Sequence, residues 1–214
     1  VTLVEVGSTL KERYSVGQCF SVQPAVNHAP IHHRQRYANN AQGVDKVAVG
    51  YTLAGHLAEY LLITEEILEA GCLLPLPDPQ MPYAHVAIGE PLSCVVSAQD
   101  HHVHLVQASP TSPRTGIKGL KPGGVTVIIG GGPMGRMHVD LALSYCPSLI
   151  IFVDRHDEKL RVARELFGPR ATRMGVRLHT VNASQQDVRA TVAELTGHRG
   201  ADDVIVSVGT RQAI

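Results

Sequence analysis

An α/β fold is predicted for this sequence: a β-rich first part, read as a compact β-barrel remnant, followed by strands and helices that alternate and close as a parallel sheet. Three observations carry the prediction. Up to about residue 80, short β-type runs are separated by turn residues. From Val125 onward, apolar runs of about five residues alternate with longer helical patterns. The first of those runs feeds directly into a turn of three consecutive glycines, and strand, turn and helix in that order build parallel sheets with right-handed crossovers. The division is placed at residue 92, giving domains 1–92 and 93–214.

In chain order, the first part offers β-type runs at 1–6 before Gly7, at 20–23 before Pro24, and at 56–64, where Leu57, Leu61 and Ile63 are apolar. Residues 73–79 hold Pro75, Pro77 and Pro79, which no helix interior tolerates. A helical stretch follows at 83–99, expected to be interrupted early by Pro91. Residues 109–114, with Pro110 and Pro113, read as a loop. Then come a buried-type strand at Val125–Ile129, a helix at 134–144, a strand at 149–153, and a helix at 158–167 that Gly168 and Pro169 should stop. A strand near 179–182, a helix at 185–196 ended by Gly197, and a strand at 204–208 ending at Gly209 complete the pattern.

Composition narrows the function. The 214 residues carry 19 basic and 19 acidic groups, so no long-range field attracts a polyanion, and nucleic acid and acidic membrane surfaces are excluded as first choices of partner. No apolar run approaches the roughly 20 residues needed to cross a bilayer. Cys19, Cys72, Cys94 and Cys146 are scattered without a C-x-x-C pair, which suits a reducing compartment and a cytoplasmic location. A small-molecule ligand is the expected partner.

The turn after the first buried strand reads Gly130-Gly131-Gly132-Pro133-Met134-Gly135 and satisfies G-x-G-x-x-G at 130, 132 and 135. Asp154 answers it at the end of the next strand, 24 residues after Gly130. Gly130 permits the tight turn, Gly132 lets backbone approach a pyrophosphate, and Gly135 lets helix pack closely on strand. The amides and positive end of the helix face the phosphates. Together these features predict a partial Rossmann-type sheet. Asp154 would accept hydrogen bonds from ribose hydroxyls and repel a 2′-phosphate, which favours NAD. Arg155 beside it could hold a 2′-phosphate and leaves NADP open. A methyltransferase built on a similar turn is a further reading of the same residues.

The sequence resembles the medium-chain, zinc-dependent alcohol and polyol dehydrogenases. The matching residues are Val4-Glu5-Val6-Gly7, Ala58-Glu59-Tyr60, Leu76-Pro77-Asp78, Glu90-Pro91-Leu92-Ser93-Cys94, the turn at 130–135, and Gly200-Ala201-Asp202 before a strand ending in Gly209. The Glu90–Cys94 segment is most similar to the sorbitol and sugar-phosphate branch. The resemblance implies a GroES-like catalytic domain over 1–92, a Rossmann-type nucleotide domain over 93–214, and hydride transfer between a nicotinamide and a polyol, sugar or sugar phosphate. It also implies a homo-oligomer, and adds Pro133, Met134 and Gly209 to the cofactor-binding residues. A non-catalytic nucleotide-binding redox sensor is the alternative.

In that family a zinc ion polarises the substrate oxygen. The resemblance places the first ligands, a cysteine and a Gly-His-Glu segment, upstream of the Val-Glu-Val-Gly strand, and only Glu90 matches a position that supplies a further ligand or a residue near the metal. The alternative for Glu90 is capping of a helix N-terminus just before Pro91. The four-cysteine lobe of a structural zinc, expected between Gln23 and about Val47, has no cysteine here, so no structural zinc is expected. His28, His32 and His33 in that segment, and His101, His102 and His104 further on, read as solvated surface residues. Cys94 reads as a small buried residue. Four strands are readable where a complete dinucleotide fold has six in the order 3-2-1-4-5-6, so the sequence is expected to be an internal piece of a longer protein with strand 204–208 at an open edge.

Overall fold

A computed structural model describes residues 1–42 and 46–209. Residues 43–45, in the segment where a metal lobe was considered, and 210–214, the end of the 93–214 domain, lie outside the described residues. Chain contacts divide the protein into two compact units, Val1–Glu90 and Pro91–Ile214.

The first unit is a set of short ladders. Strand β1 (Phe20–Val22) pairs antiparallel with β4 (Leu73–Pro75), and β2 (Ala25–Asn27) pairs antiparallel with β3 (Lys46–Ala48). A five-residue helix, α1 (Glu65–Glu69), precedes β4. Phe20, Val22, Val47, Ile67 and Leu73 from these elements share one buried cluster. Two expected strands do not form. In 1–6 only Thr2 makes a bridge, to Cys19, because Val4 is 62% exposed and the apolar residues share no buried face. In 56–64, Leu57 and Leu62 face solvent while Leu61 and Ile63 pack on the core, and the run bends at 56–59 and joins no ladder among the described residues.

Helix α2 (Tyr83–Asp100) runs through Pro91 without a break. The expected interruption is absent because a proline forfeits one hydrogen bond to the carbonyl four residues back, a loss the flanking turns absorb. Its buried positions are Val95 and Gln99, an i,i+4 pair on one face.

After the last turns of α2, the second unit continues with an antiparallel hairpin, β5 (Val103–Val106) with β6 (Thr115–Lys118), joined by the proline-containing loop. Four parallel strands follow: β7 (Val125–Ile129), β8 (Leu149–Asp154), β9 (Arg177–Asn182) and β10 (Asp203–Val206), in the order β10-β7-β8-β9. Three helices alternate with them, α3 (Pro133–Leu143), α4 (Asp157–Arg173) and α5 (Val188–Leu195). Each face of the sheet is lined by every second residue. Ile128, Ile150 and Phe152 meet Val139, Leu143, Leu160 and Ala163 of α3 and α4, while Val127, Ile151 and Val153 meet Val188, Val192 and Leu195 of α5. This is a partial Rossmann-type α/β domain.

Gly168 and Pro169 do not stop α4, contrary to expectation. The helix continues to Arg173, since the extra turn and a half places Phe167 against the core and buries Ala171 and, just after the helix, Val176.

A candidate nucleotide-binding site

The site is built where β7 ends. In a sheet of order β10-β7-β8-β9, the chain leaves β7 toward β8 on one side and β10 lies on the other, so the ends of β7 and β10 form the crevice where open α/β sheets bind ligands. Gly130 has φ +116° and closes the turn; a Cβ on it would lie 2.7 Å from Val208. Gly135 sits one turn into α3, where an added Cβ would lie 1.7 Å from the Gly130 carbonyl oxygen. No other residue type fits at Gly135. A Cβ on Gly132 meets nothing within 4 Å, so that face of the turn is open to an incoming group. Gly132 occupies the N-cap of α3 with no side-chain cap, and Pro133 starts the helix, which leaves the positive helix end and the amide of Met134 available to an anion.

Asp154 ends β8 and is 8% exposed. One carboxylate oxygen accepts from the Gly131 amide at 2.7 Å and the other from the His156 amide at 2.9 Å. Burial pushes the Asp154 carboxyl up, but the Gly131 and His156 amides and the Lys159 ammonium outweigh it and hold it below its ordinary value. The carboxylate is therefore anionic at neutral pH and fixed in orientation. Lys159, on the first turn of α4, reaches 3.6 Å from Asp154. Sequence reasoning passed over it, although an acid followed five residues later by a lysine just inside a helix was a readable signal.

Gly130, Asp154, Arg155 and Lys159 border a pocket of about 940 Å³ whose apolar wall includes Val204, Val206 and Val208. Gly209 follows Val208 and is exposed. The structure thus gathers the glycine turn, Asp154 and Arg155 in one place and sets Gly209 at its margin. The donor set suits a dinucleotide: an open backbone cradle at a helix N-terminus for phosphates, and a fixed carboxylate for vicinal hydroxyls.

Glu90 is exposed and lies in the interior of α2. The capping alternative fails, because α2 begins seven residues earlier at Tyr83. Among the described residues Glu90 belongs to no group of three potential metal ligands, so the residues present do not make the catalytic zinc site that the resemblance implies. Cys94 is exposed rather than buried, one residue away from the buried stripe of Val95 and Gln99. His28 is also not simply solvated, its Nε2 lying 2.9 Å from Glu69.

No family model matches the sequence. Mannitol-1-phosphate 5-dehydrogenase from Aliivibrio fischeri is 28% identical over 99% of this chain and 47% of its own. L-sorbose 1-phosphate reductase from Klebsiella pneumoniae is 31% identical over 75% of this chain and 37% of its own. The chain is thus similar to medium-chain zinc-type polyol and sugar-phosphate dehydrogenases. A Sinorhizobium meliloti protein of this fold, solved bound to NADP, superposes with a TM-score of 0.62 at 24% identity, covering 99% of this chain and 53% of the other. The chain spans about half the length of the curated medium-chain relatives it matches. Among the described residues no helix is long and apolar enough to cross a membrane.

Proposed function

We propose that this chain carries the nucleotide-binding half of an oxidoreductase that moves a hydride between a nicotinamide cofactor and a polyol, sugar or sugar phosphate. The observation that carries the cofactor part is the open Gly132 face of the turn beside an Asp154 carboxylate held by two backbone amides. The substrate class rests on the two relatives, whose names specify a hexitol phosphate and a ketose phosphate.

The chain's own residues bind and orient. The amides at the start of α3 receive the pyrophosphate, and Asp154 accepts from the adenosine ribose hydroxyls with the orientation that Gly131 and His156 impose. Because those two amides restrain the carboxylate, it does not swing aside for a 2′-phosphate, which favours NAD. Arg155 and Lys159 are the cations a 2′-phosphate would use, so NADP is the comparison to make. The nicotinamide supplies the hydride chemistry when bound. No step is routed through zinc, since among the described residues Glu90 is in no group of three potential ligands. A homo-oligomer belongs to the same reading.

Calorimetric titration with NAD and NADP, followed by the rise of reduced-nicotinamide absorbance during oxidation of hexitol phosphates, tests the proposal. Binding of NAD by the chain is expected, with turnover of a polyol or its phosphate expected only where the family's zinc ligands are also present. Absence of binding by either cofactor would remove it.

A further inference from the structure

At the opposite end of the sheet from the glycine turn, three side chains from distant parts of the second unit converge. Asp203 opens β10, in register with Thr126 near the start of β7, and its side chain is 1% exposed. One of its oxygens accepts from the Lys121 backbone amide at 3.0 Å. The other is met by two imidazoles: His102 Nε2 at 2.9 Å and His104 Nε2 at 2.8 Å. His102 and His104 alternate on one face of the β5 hairpin, with ring centroids 4.9 Å apart. All three ligand atoms lie within 4.8 Å of one another.

We propose that His102, His104 and Asp203 form a binding site for a divalent cation of the zinc class. Two imidazole nitrogens and one carboxylate oxygen are the donor types zinc prefers, and three protein ligands leave a fourth position for water. In a tetrahedron with bonds of ~2.0–2.1 Å, neighbouring ligands stand roughly 3.3 Å apart, so the observed 2.8 and 2.9 Å separations need open by only a few tenths of an ångström. Charge points the same way: a buried carboxylate gains a full counter-charge when a divalent cation binds beside it. The Lys121 amide fixes the far oxygen, the outer-shell role that orients a ligating carboxylate. His102 is 43% exposed while His104 is 18%, which gives the ion an entry path and its water a place. Bound there, the ion would tie the β5–β6 hairpin to the sheet edge.

The test compares the protein with its His102→Gln/His104→Gln variant after dialysis against Zn²⁺. About one equivalent of zinc should disappear in the double variant, and the zinc-induced rise in melting temperature of the unaltered protein should be lost with it. His32→Gln serves as control, because His32 with Glu65 and Glu69 forms the other, fully exposed group of potential ligands among the described residues; it should retain that equivalent. Should the double variant not fold, His102→Gln alone is expected to weaken zinc at least about tenfold, the scale on which even outer-shell partners act. Equal zinc content and equal melting shifts in parent and double variant, or loss of the equivalent on His32→Gln alone, would overturn the proposal and leave Asp203 as a hydrogen-bond acceptor only.

Discussion

Two glycines one helical turn apart have opposite roles, and substitution separates them. Gly135→Ala drives a methyl to 1.7 Å from the Gly130 carbonyl, overpacking that the backbone must relieve, so a loss of about 3 kcal/mol or more is expected in chemical denaturation. Gly132→Val enters open space at an extended backbone position and should change stability by only about 0.5 kcal/mol. Its NAD affinity should nevertheless fall at least tenfold, about 1.4 kcal/mol, in a calorimetric titration. Unchanged affinity would mean that the turn serves packing alone. Asp154 combines both roles. Its carboxyl is lowered in the folded state, so its contribution to stability is full above the ordinary value of 3.8 and fades as pH falls through the lower folded value. Asp154→Asn should therefore be less stable than the parent at neutral pH and converge with it in acid, while weakening NAD by roughly 1.5–3 kcal/mol at pH 7. A stability gap that persists at low pH would show that the charge contributes nothing.

The elements explain which parts of the fold were legible. In β7 and β8 the apolar run is continuous because both faces of these strands are buried, and Val125–Ile129 was readable to the residue. The ladders of the first unit are three residues long, too short to show a period, so β2 and β3 went unread while unpaired 56–64 looked like a strand. Proline misled twice, at Pro91 and Pro169, because tertiary packing outweighs one lost hydrogen bond. Pro169→Ala should accordingly stabilise the protein, by at most about 3 kcal/mol, as a higher thermal midpoint; a lower midpoint would mean that the ring itself packs usefully. Helix α1 hides a second lesson. Glu66 is fully buried, and its Oε1 accepts from the His32 amide at 2.8 Å. Burial pushes its carboxyl up, yet the amides of Glu66 and His32 win and hold it down to about 2. Stability from this group is complete above its ordinary 4.5 and drains away as pH falls toward 2. Glu66→Gln should cost on the order of 1–3 kcal/mol at pH 7, followed by far-ultraviolet circular dichroism in urea, and the cost should shrink across that window.

At the scale of the whole molecule, the pattern of strands and helices and the nucleotide turn were visible in the sequence because they depend on local spacing. The Asp203 cluster was not, since His104 and Asp203 are 99 positions apart and only the fold brings them together. The same distance-dependence governs the apolar wall beside the nucleotide pocket. Val204 and Val206 stand in register with Val127 and Ile129 on the α5 side of the sheet, but are 58% and 42% exposed, at the β10 end of the strand order. An apolar edge of this kind invites pairing with another chain, and a net charge of zero provides no repulsion to oppose it. The 214-residue chain should therefore self-associate as its concentration rises at neutral pH, detectable by light scattering. Val204→Lys/Val206→Lys places charge on the edge, as natural edge strands do. It should keep the chain monodisperse over the same range, with thermal stability changed by no more than about 0.5 kcal/mol per exposed site. If the unaltered chain stays monomeric, or the double variant associates equally, the exposed valines are not the adhesive surface and association must be sought on another face.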